Sequence, residues 1–484
     1  YLEKDYIKEI PKEQWNDGWY LPFFCVVNPA KKSTPIRPVF DAKSTYNKVS
    51  LNNQIMDTPN LLNDTWPTLL HLRQYKYAMT GDISEMFLRV RLCEEDQKYH
   101  RFYFNGKVYQ WTRILFGNTS SPNISQKVIR AVCDKYEHEY PIAAQFMRAW
   151  CYMDDAIASA TTEDELVILA DQLPKLLMHA DMRMAKFYSN SQKVMKSIPA
   201  DARAKEVQVF EDKDVVFESS KVLGMVWDAQ TDIFSYKSKF KTVEEWMENL
   251  KITQWTKRTI LKTTASTYDP LGYITALTVQ ARNVIQGLWQ ESLDWDHPLP
   301  KEHEERWVQA LTNLLSVSEI KIPRWLGFQQ NSTSELHIFC DASEKVYSTV
   351  AYCRINSVGG QVISNIISGR ARVAPLKSET IPRLELMACV LGTRMSRAIT
   401  EVFKIPKENI HFWTDSRDAL CWIYTPSNKC KVYVQNRVGE IQRCTDHNQW
   451  HHIPTESNPA DVPTRIITTQ ELKDNDLWWH GPDL

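Results

Sequence analysis

Residues 151–159 have the sequence CYMDDAIAS, in which two adjacent carboxylates, Asp154 and Asp155, lie between two short apolar runs. The runs predict the strands of a β-hairpin, and Asp is a common turn residue because its short side chain can hydrogen-bond its own backbone. A polar turn is the simplest interpretation of the pair taken alone. Two like charges this close repel unless a proton or a cation lies between them, and Mg²⁺ prefers oxygen ligands. A metal site therefore requires a third carboxylate from elsewhere in the chain.

Asp82 is a candidate for that third carboxylate. It lies in YAMTGDISEMFLRVRL (residues 77–92), which predicts an apolar strand ending at Gly81 and Asp82. Apolar positions recur at helical spacing between about 118 and 148 and again from 161 to 187, so we expect two helices that flank the hairpin. Strand, helix, hairpin and helix predict an α+β layer with the carboxylates on one sheet edge, where they can hold two metal ions for phosphoryl transfer. The alternative for Asp82 alone is a solvated acid at a strand end.

The composition is that of a globular protein. The chain has 484 residues, of which 43% are hydrophobic and 24% charged, a length that suggests about three domains. Neither a membrane span nor a signal peptide is visible, so we expect an intracellular protein. Ten cysteines lie singly without a C-x₂-C pair, which argues against a zinc site or a disulfide framework and favours reduced core residues. The formal net charge of −1 gives no global basic excess, so any binding of nucleic acid depends on local patches.

A second series of strands begins after residue 331. ELHIFCDAS (335–343) alternates apolar and polar residues and predicts a strand that ends at Asp341. The runs STVAYCRI (348–355) and GQVISNIISGRARVA (360–374) predict two further strands. Together they indicate a sheet that begins with three antiparallel strands.

Glu385 lies on the helix that we expect after these strands. Pro382 is in the first turn of IPRLELMACVLGTRMSRAI (381–399), a position that proline favours. Glu385 shares a helix face with Ala388, Cys389 and Gly392, which are all small. A face of small residues predicts close approach to a sheet, whereas a merely solvated Glu would usually have polar neighbours.

Two more carboxylates complete this second acidic set. IHFWTDS (410–416) predicts a strand that ends at Asp415, and WHHIPTESNPADVPTR (450–465) contains Asp461. Four such acids can bind two Mg²⁺ or Mn²⁺ ions and activate water against a phosphodiester. Each acid alone is more simply a surface charge, so only the ordered set of four indicates a metal site.

Several motifs resemble those of known polymerases. RPVFDAKSTYN (37–47), DISEMF (82–87), LFGNTSSP (115–122) and YMDD (152–155) resemble the blocks of reverse transcriptases. VLGMVWD, STYDPLGYITALTVQARNVIQGLWQ and LDWDHPLP, which together lie between residues 222 and 300, resemble the Bel/Pao class of long-terminal-repeat retrotransposon polyproteins. The resemblance covers essentially the whole chain, and the last three motifs are far more specific than YMDD.

The resemblance implies an α+β polymerase palm with fingers and thumb in a right-hand arrangement, followed by an α/β RNase H-like domain. The expected segments are fingers and palm at 1–235, thumb and connection at 236–330, the RNase H-like domain at 331–466, and a C-terminal tail at 467–484 that leads to a missing downstream segment.

The resemblance also implies roles for individual residues. Both metal sites would be catalytic, and their expected ligands are Asp82, Asp154 and Asp155 in the polymerase and Asp341, Glu385, Asp415 and Asp461 in the RNase H-like domain. Phe87 would block the 2′-OH of a ribonucleotide, with an ordinary core Phe as the alternative. Arg37 would contact the triphosphate, with Lys31 and Lys32 as neighbours, because a guanidinium can grip phosphate oxygens bidentately. Phe116 and Gly117 would shape the nucleotide pocket.

VLGMVWD (222–228) resembles a primer-grip hairpin, in which Gly224 would allow close approach of the backbone to the primer end. Residues 236–262 mix Lys and Arg with Trp246 and Trp255. They predict either a thumb surface that follows a phosphate backbone or a charged helix face over buried tryptophans.

We therefore expect an RNA-directed DNA polymerase with RNase H activity. The cofactor would be Mg²⁺, with Mn²⁺ as a substitute, at two ions per active site. The partners would be an RNA template, a DNA primer, the RNA–DNA hybrid, dNTPs and other segments of a parent polyprotein, with no membrane. The location would be a cytoplasmic particle with a nuclear stage. The alternatives are an inactive copy or a co-opted nucleic-acid-binding protein that has the fold without the chemistry.

Overall fold

The computed structural model describes residues 1–28, 35–208, 216–217, 219–238, 240–357 and 359–483. The chain forms two compact units. The first consists of Tyr1–Asp64, Met79–Ala158 and Glu163–Lys205, and the second of Thr65–Ala78, Ser159–Thr162 and Glu206–Leu484. Among the described residues, none of the helices has the length and apolar character needed to cross a membrane.

The strands are numbered in chain order. They are β1 Ile7–Ile10, β2 Phe23–Val27, β3 Ile36–Phe40, β4 Tyr77–Ser84, β5 Arg101–Phe104, β6 Lys107–Trp111, β7 Cys151–Tyr152, β8 Asp155–Ala160, β9 Arg183–Ser189, β10 Val207–Gln208, β11 Val216–Phe217, β12 Ser220–Val222, β13 Met225–Asp228, β14 Ile233–Ser235, β15 Ile322–Pro323, β16 Thr333–Ala342, β17 Val346–Asn356, β18 Val362–Val373, β19 Ile410–Thr414 and β20 Trp450–His452.

The α-helices are numbered in the same way. They are α1 Leu51–Gln54, α2 Thr65–Gln74, α3 Glu94–Gln97, α4 Ser121–Tyr136, α5 Pro141–Trp150, α6 Glu163–Met178, α7 Gln192–Ser197, α8 Val243–Asn249, α9 Lys257–Ser266, α10 Thr275–Gln290, α11 Lys301–Leu315, α12 Ile381–Phe403, α13 Arg417–Tyr424, α14 Val432–Cys444, α15 Thr469–Lys473 and α16 Asp476–His480.

The first unit is built on a sheet in the order β7-β8-β4-β9. The predicted hairpin is confirmed, because β7 and β8 pair antiparallel with Tyr152 opposite Asp155. Helices α4, α5 and α6 pack on one another beside this sheet. The burial of Leu166, Leu169 and Leu173 on α6 follows the helical spacing that predicted the element.

Three predicted boundaries in this unit are wrong. The helix expected over 118–148 is two helices, because the chain turns after Tyr136 and Pro141 starts α5. The helix expected over 161–187 ends at Met178, since Asp181 adopts a left-handed φ of 54° and the chain then re-enters the sheet as β9. The strand that carries Asp82 continues to Ser84, so Asp82 lies inside β4.

The remaining sheets of the first unit surround an aromatic core. Strands β2 and β3 pair antiparallel, and β1, β6 and β5 form a second sheet. Phe40 packs on Phe102 and on Trp111, with ring centroids 5.0 and 5.3 Å apart. This core anchors β3, the strand on which Arg37 lies.

The second unit contains a five-stranded sheet in the order β18-β17-β16-β19-β20. The first three strands are antiparallel, as predicted, whereas β19 pairs parallel to β16 and β20 parallel to β19. Helix α12 packs on β16 and β17. The expected α/β layer is therefore present, and β16 and β19 end side by side.

The segment around DPLGYI joins helix α10 to this sheet. Gly272 has φ +75°, and an added Cβ would lie only 1.7 Å from the carbonyl oxygen of Gly369 on β18. Asp269 accepts hydrogen bonds from the Tyr236 hydroxyl (2.6 Å) and from the backbone N–H of Tyr273 (3.0 Å). Trp478 donates to the Tyr273 carbonyl at 3.0 Å. This motif therefore has a packing role in the fold.

The segment 220–262 forms the hairpin and helices that the sequence predicts there. Strands β12 and β13 pair antiparallel, and Gly224 in their turn has φ +90°. An added Cβ would lie 2.2 Å from the Tyr268 ring, so only glycine fits. Trp255 is buried against Trp307, with ring centroids 5.5 Å apart, which supports the buried-tryptophan interpretation at that position.

The ten cysteines are free, as expected, although their placement differs in part from the prediction of core residues. Five are buried, namely Cys133, Cys151, Cys340, Cys353 and Cys389. Three are exposed. Cys25 is at an outward position of β2, Cys93 is in a loop, and Cys421 is on the outer face of α13.

Candidate active sites

The first site forms where the β7–β8 hairpin meets β4. Met153 takes a left-handed φ of 54° in the hairpin turn, Asp154 follows it, and Asp155 begins β8. The backbone N–H of Ile83 on β4 donates to the Asp154 carbonyl at 2.8 Å, which fixes the turn beside Asp82. The structure thus brings Asp82, Asp154 and Asp155 together where the β7–β8 turn meets β4, an inner strand of the sheet, rather than at the sheet edge that the sequence predicted.

The three carboxylates of this first site influence one another electrostatically. Burial raises the pKa of Asp155 to about 7, and the charges of Asp154 and Asp82 contribute to the increase. Burial also raises the pKa of Asp154, with Asp82 adding to the effect. The charge of Asp82 therefore disfavours ionisation of Asp154 and Asp155, and the charge of Asp154 disfavours ionisation of Asp155.

A lysine that the sequence did not point to partly offsets this charge. Lys186 on β9 donates from Nζ to Asp82 Oδ2 at 2.7 Å. Its charge lowers the pKa values of Asp154 and Asp155, against the larger effect of burial. No motif marks Lys186 in the sequence, because its position depends on the pairing of β9 with β4, about 100 residues away along the chain.

The expected nucleotide-site residues lie on three different elements. Phe87 follows β4 in a 3₁₀ turn and is 4% exposed, while Phe116 is 59% exposed, and their rings meet edge to face with centroids 4.6 Å apart. Gly117 has φ +104°, and a Cβ there would lie 2.6 Å from the Phe40 carbonyl oxygen. Arg37 is exposed on β3. Phe87 and Phe116 are therefore neighbours, and Gly117 needs to be glycine on backbone grounds.

Lys31 and Lys32, expected as neighbours of Arg37, lie outside the described residues.

The second site lies at the end of β16. Asp341 is the penultimate residue of that strand, and Asp461 lies on a 3₁₀ helix, Pro459–Thr464. The Thr464 hydroxyl oxygen is 3.2 Å from both Asp341 Oδ2 and Asp461 Oδ1, so one hydroxyl spans the two carboxylates. Asp461 is also paired with Arg465. Thr464 had no sequence signal, because its role depends on the return of a distant segment to β16.

Glu385 and Asp415 approach the same strand end from α12 and from β19. The Ser416 hydroxyl donates to Glu385, and Ser416 also caps α13 by accepting from the Ala419 N–H at 3.1 Å. Thr455 donates to Asp415 Oδ2 at 2.6 Å. The other oxygen, Asp415 Oδ1, is buried and has no hydrogen-bond partner among the described residues. A buried carboxylate oxygen without a partner is costly, so it indicates an acceptor available to a ligand.

Electrostatics couple these acids as well. Burial raises the pKa of Asp341 to about 8, and the charges of Asp415 and Asp461 add to it. Burial raises the pKa of Glu385, while the hydrogen bond from Ser416 lowers it and the charge of Asp415 raises it. The structure therefore brings together the four acids that the sequence analysis selected.

The donor atoms of both clusters are of the chemical type that a hard divalent cation prefers. Among the described residues, no group of three or more His, Cys, Asp or Glu side chains is already arranged to hold a metal ion. Even so, both clusters offer carboxylate oxygens, the donors that Mg²⁺ prefers, and Asp415 Oδ1 has no partner that such an ion would have to displace. In the first cluster the ammonium of Lys186 stands in for a cation at Asp82.

Family models match both parts of the chain. Residues 29–225 match the reverse transcriptase (RNA-dependent DNA polymerase) family, and residues 256–416 match the Pao retrotransposon-like RNaseH-like domain. The chain carries a reverse transcriptase domain and a Pao retrotransposon RNase H-like domain. The first match contains the cluster of Asp82, Asp154 and Asp155, and the second contains Asp341, Glu385 and Asp415 but ends before Asp461.

A curated relative supports the polymerase-polyprotein resemblance. The chain is 24% identical over 170 residues to the Retrovirus-related Pol polyprotein from transposon gypsy of Drosophila melanogaster. The match covers 32% of this chain and 16% of that protein.

Solved structures show the same overall fold. Foamy viral protease-reverse transcriptase in complex with an RNA/DNA hybrid matches 94% of the chain with a TM-score of 0.55 and 16% identity, and the chain spans 52% of that protein. Two further foamy viral structures with double-stranded DNA, one of them the dRH form, match with TM-scores of 0.56 and 0.54, also at 16% identity and 94% coverage, and the chain spans 68% and 80% of them. The reverse transcriptase fold with an RNase H-like domain is thus confirmed.

Proposed function

We propose that the protein is an RNA-directed DNA polymerase that also cleaves the RNA strand of an RNA–DNA hybrid. The observation that carries the proposal is the presence of two separate carboxylate clusters, one within the reverse transcriptase match and one largely within the RNase H-like match. In each cluster, burial and mutual repulsion raise the pKa of an aspartate, Asp155 and Asp341. Acids held together at such electrostatic cost are typical of functional sites.

In the polymerase site, Asp82, Asp154 and Asp155 would hold two Mg²⁺ ions, with Mn²⁺ as a substitute. Bound there, the ions would neutralise charge on the triphosphate and favour attack by the primer 3′-OH. Phe87 would exclude the 2′-OH of a ribonucleotide through its ring.

The other nucleotide-site residues would position the incoming dNTP. Arg37 would grip triphosphate oxygens through its guanidinium. Phe116 is the exposed partner of Phe87 and would offer a face to the nucleotide or template, since more than half of its surface is open to solvent. Gly117 would keep the chain close to the Phe40 carbonyl and leave room beside Phe116.

In the RNase H-like site, Asp341, Glu385, Asp415 and Asp461 would hold the metal pair, and bound ions would activate water against the RNA phosphodiester. Burial and the charges of Asp415 and Asp461 raise the pKa of Asp341, so a bound cation would favour the ionised form of this carboxyl. Thr464 holds Asp341 and Asp461 in register, and Ser416 and Thr455 orient Glu385 and Asp415.

The substrates would be an RNA template, a DNA primer, dNTPs and the resulting hybrid, and other segments of a parent polyprotein would be partners. The related foamy viral proteins are complexes with an RNA/DNA hybrid and with double-stranded DNA, which supports the choice of ligand. We propose the segment limits 1–235, 236–330, 331–466 and 467–484 for fingers and palm, thumb and connection, RNase H-like domain and tail. The protein would act in a cytoplasmic particle with a nuclear stage.

Primer extension tests the proposal. The purified chain is mixed with a DNA primer on a homopolymer RNA template, the complementary dNTP and Mg²⁺, and the product length is followed. We expect extension that stops on chelation and resumes when Mg²⁺ is restored. Binding of primer and template without any extension would instead favour the co-opted nucleic-acid-binding protein, and absence of both would favour an inactive copy.

A further inference from the structure

The pairing of β9 with β4 contains a β-bulge next to the first acidic cluster. Thr80 faces Tyr188 and Asp82 faces Ala185, so the single residue Gly81 on β4 lies opposite two residues on β9. Those two residues are Lys186 and Phe187. A bulge of this kind redirects a side chain, and such bulges are over-represented beside active sites.

The bulge sends its two residues in different directions. Phe187 is 1% exposed and packs into the space above Gly81, where an added Cβ would lie 2.7 Å from Met184 Cε and 3.2 Å from the Phe187 ring. Lys186 takes a left-handed φ of 55°, which is uncommon for a residue with a side chain. Its side chain is 68% exposed and reaches Asp82, which is 20% exposed.

The bulge and the left-handed conformation place the ammonium group of Lys186 against the first acidic cluster. Lys186 Nζ lies 2.7 Å from Asp82 Oδ2. Strained conformations persist where the surrounding structure enforces them and concentrate at functional sites.

We propose that Lys186 is a built-in countercharge that occupies the Asp82 carboxylate when no divalent ion is bound and gives way when an ion binds. The inference rests on the proposed function, because it concerns the metal site of the polymerase. An ammonium and a divalent cation repel each other, so both cannot share Asp82 Oδ2 at hydrogen-bond distance. The flexible four-carbon stem and the exposure of Lys186 allow the ammonium to move into solvent.

Mn²⁺ binding tests this proposal without a measurement of activity. The free-ion electron paramagnetic resonance signal is titrated in a background that carries Glu385→Gln and Asp415→Asn, so that the second cluster contributes little. Lys186→Met removes the charge and keeps the length of the side chain. Lys186→Gly removes the charge and also fits the left-handed backbone, which protects the test against misfolding.

The expected result is that both Lys186 variants bind Mn²⁺ about fivefold more tightly than the background protein, the size of effect that an exposed ion pair can produce. The matched control is Lys193→Met, which removes a lysine whose exposed ion pair is with Asp164 rather than with an acid of the cluster. This control should bind Mn²⁺ as the background does. Without metal, Lys186→Met should unfold at a lower temperature than Lys193→Met, because the three acids lose their only lysine partner in the described part of the chain.

The outcomes separate the inference from the proposed function. If Asp154→Asn abolishes Mn²⁺ binding but the Lys186 variants bind as the background does, the countercharge inference is wrong and the proposed metal site is supported. If Asp154→Asn leaves Mn²⁺ binding unchanged, the first cluster does not hold the ion. That result overturns both the countercharge inference and the proposed polymerase metal site. Weaker binding in both Lys186 variants would also overturn the inference, since it would show that Lys186 supports the ion.

Discussion

Replacement of Gly392 by alanine should damage the RNase H-like site from a distance. Gly392 lies on α12 seven residues after Glu385 and on the same face, against β16 and β17. A Cβ at this position would lie 2.7 Å from Cys340 Sγ and 3.0 Å from both Ile338 Cγ2 and Thr349 Oγ1. Because Ile338, Cys340 and Thr349 are fully buried, we expect these contacts to be relieved by a lift of α12 from the sheet, which would carry Glu385 away from the end of β16.

Two opposing effects set the magnitude. Alanine is a better helix former than glycine by about 1 kcal/mol, whereas overpacking of a close-packed core costs about 1–3 kcal/mol. We expect the free energy of unfolding to fall by about 1 kcal/mol in denaturant titrations. A displacement of about 1 Å at a catalytic group can cost about 100-fold in rate, so cleavage of RNA in a hybrid should fall by more than the stability does.

Gly439→Ala is the matched control. Gly439 is in the middle of α14, where an added Cβ would meet only the Arg443 guanidinium at 3.4 Å and Ser427 at 3.8 Å. This variant should gain up to about 1 kcal/mol from helix propensity and cleave the hybrid normally. If Gly392→Ala were as stable as Gly439→Ala and cleaved at the wild-type rate, the close approach of α12 would not position Glu385.

Phe87→Val should admit ribonucleotides and keep most of the deoxynucleotide rate, because it removes a clash rather than a metal ligand. The assay is single-nucleotide incorporation. An unchanged preference for deoxynucleotides over ribonucleotides would show that Phe87 is only a core residue. Burial raises the pKa of Asp269 to about 6 from 3.8. Between about pH 4 and 6 the folded protein therefore binds more protons than the unfolded chain. Because of this difference, the contribution of Asp269 to stability decreases as the pH rises through that range. Asp269→Asn should therefore flatten the pH dependence of the unfolding free energy between pH 4 and 6, and a slope equal to that of the wild type would contradict the assignment.

The elements that the sequence predicted well have apolar residues at regular spacing and contacts between residues that are near one another in the sequence. The hairpin follows from two short apolar runs around a polar turn, and α12 follows from Pro382 and a regular apolar face. The close packing of α12 was also predictable, because small residues at 388, 389 and 392 share one face with Glu385. The resemblance to reverse transcriptases and RNase H-like domains then selected the acids of the two candidate clusters.

The features that the sequence did not reveal depend on pairing across long distances. The left-handed conformation of Lys186 arises from a bulge against β4 and has no local glycine to mark it. The contact of Thr464 with Asp341 could not be predicted, because it depends on how a distant segment packs against the end of β16. The break before Pro141 could have been found from proline alone, whereas the end of α6 could not, because the apolar spacing continues past Met178 into β9. The roles of the site residues stay predictions.

The two sites should act independently, because they use separate carboxylates. A single preparation of each variant is assayed for extension of a DNA primer on RNA and for release of fragments from labelled RNA annealed to DNA. Asp154→Asn should lose extension by orders of magnitude and keep cleavage, whereas Glu385→Gln should lose cleavage, with partial rescue by Mn²⁺, and keep extension. Wild-type extension by Asp154→Asn together with wild-type cleavage by Glu385→Gln would contradict the assignment of both clusters, and loss of both activities in either variant would contradict their independence.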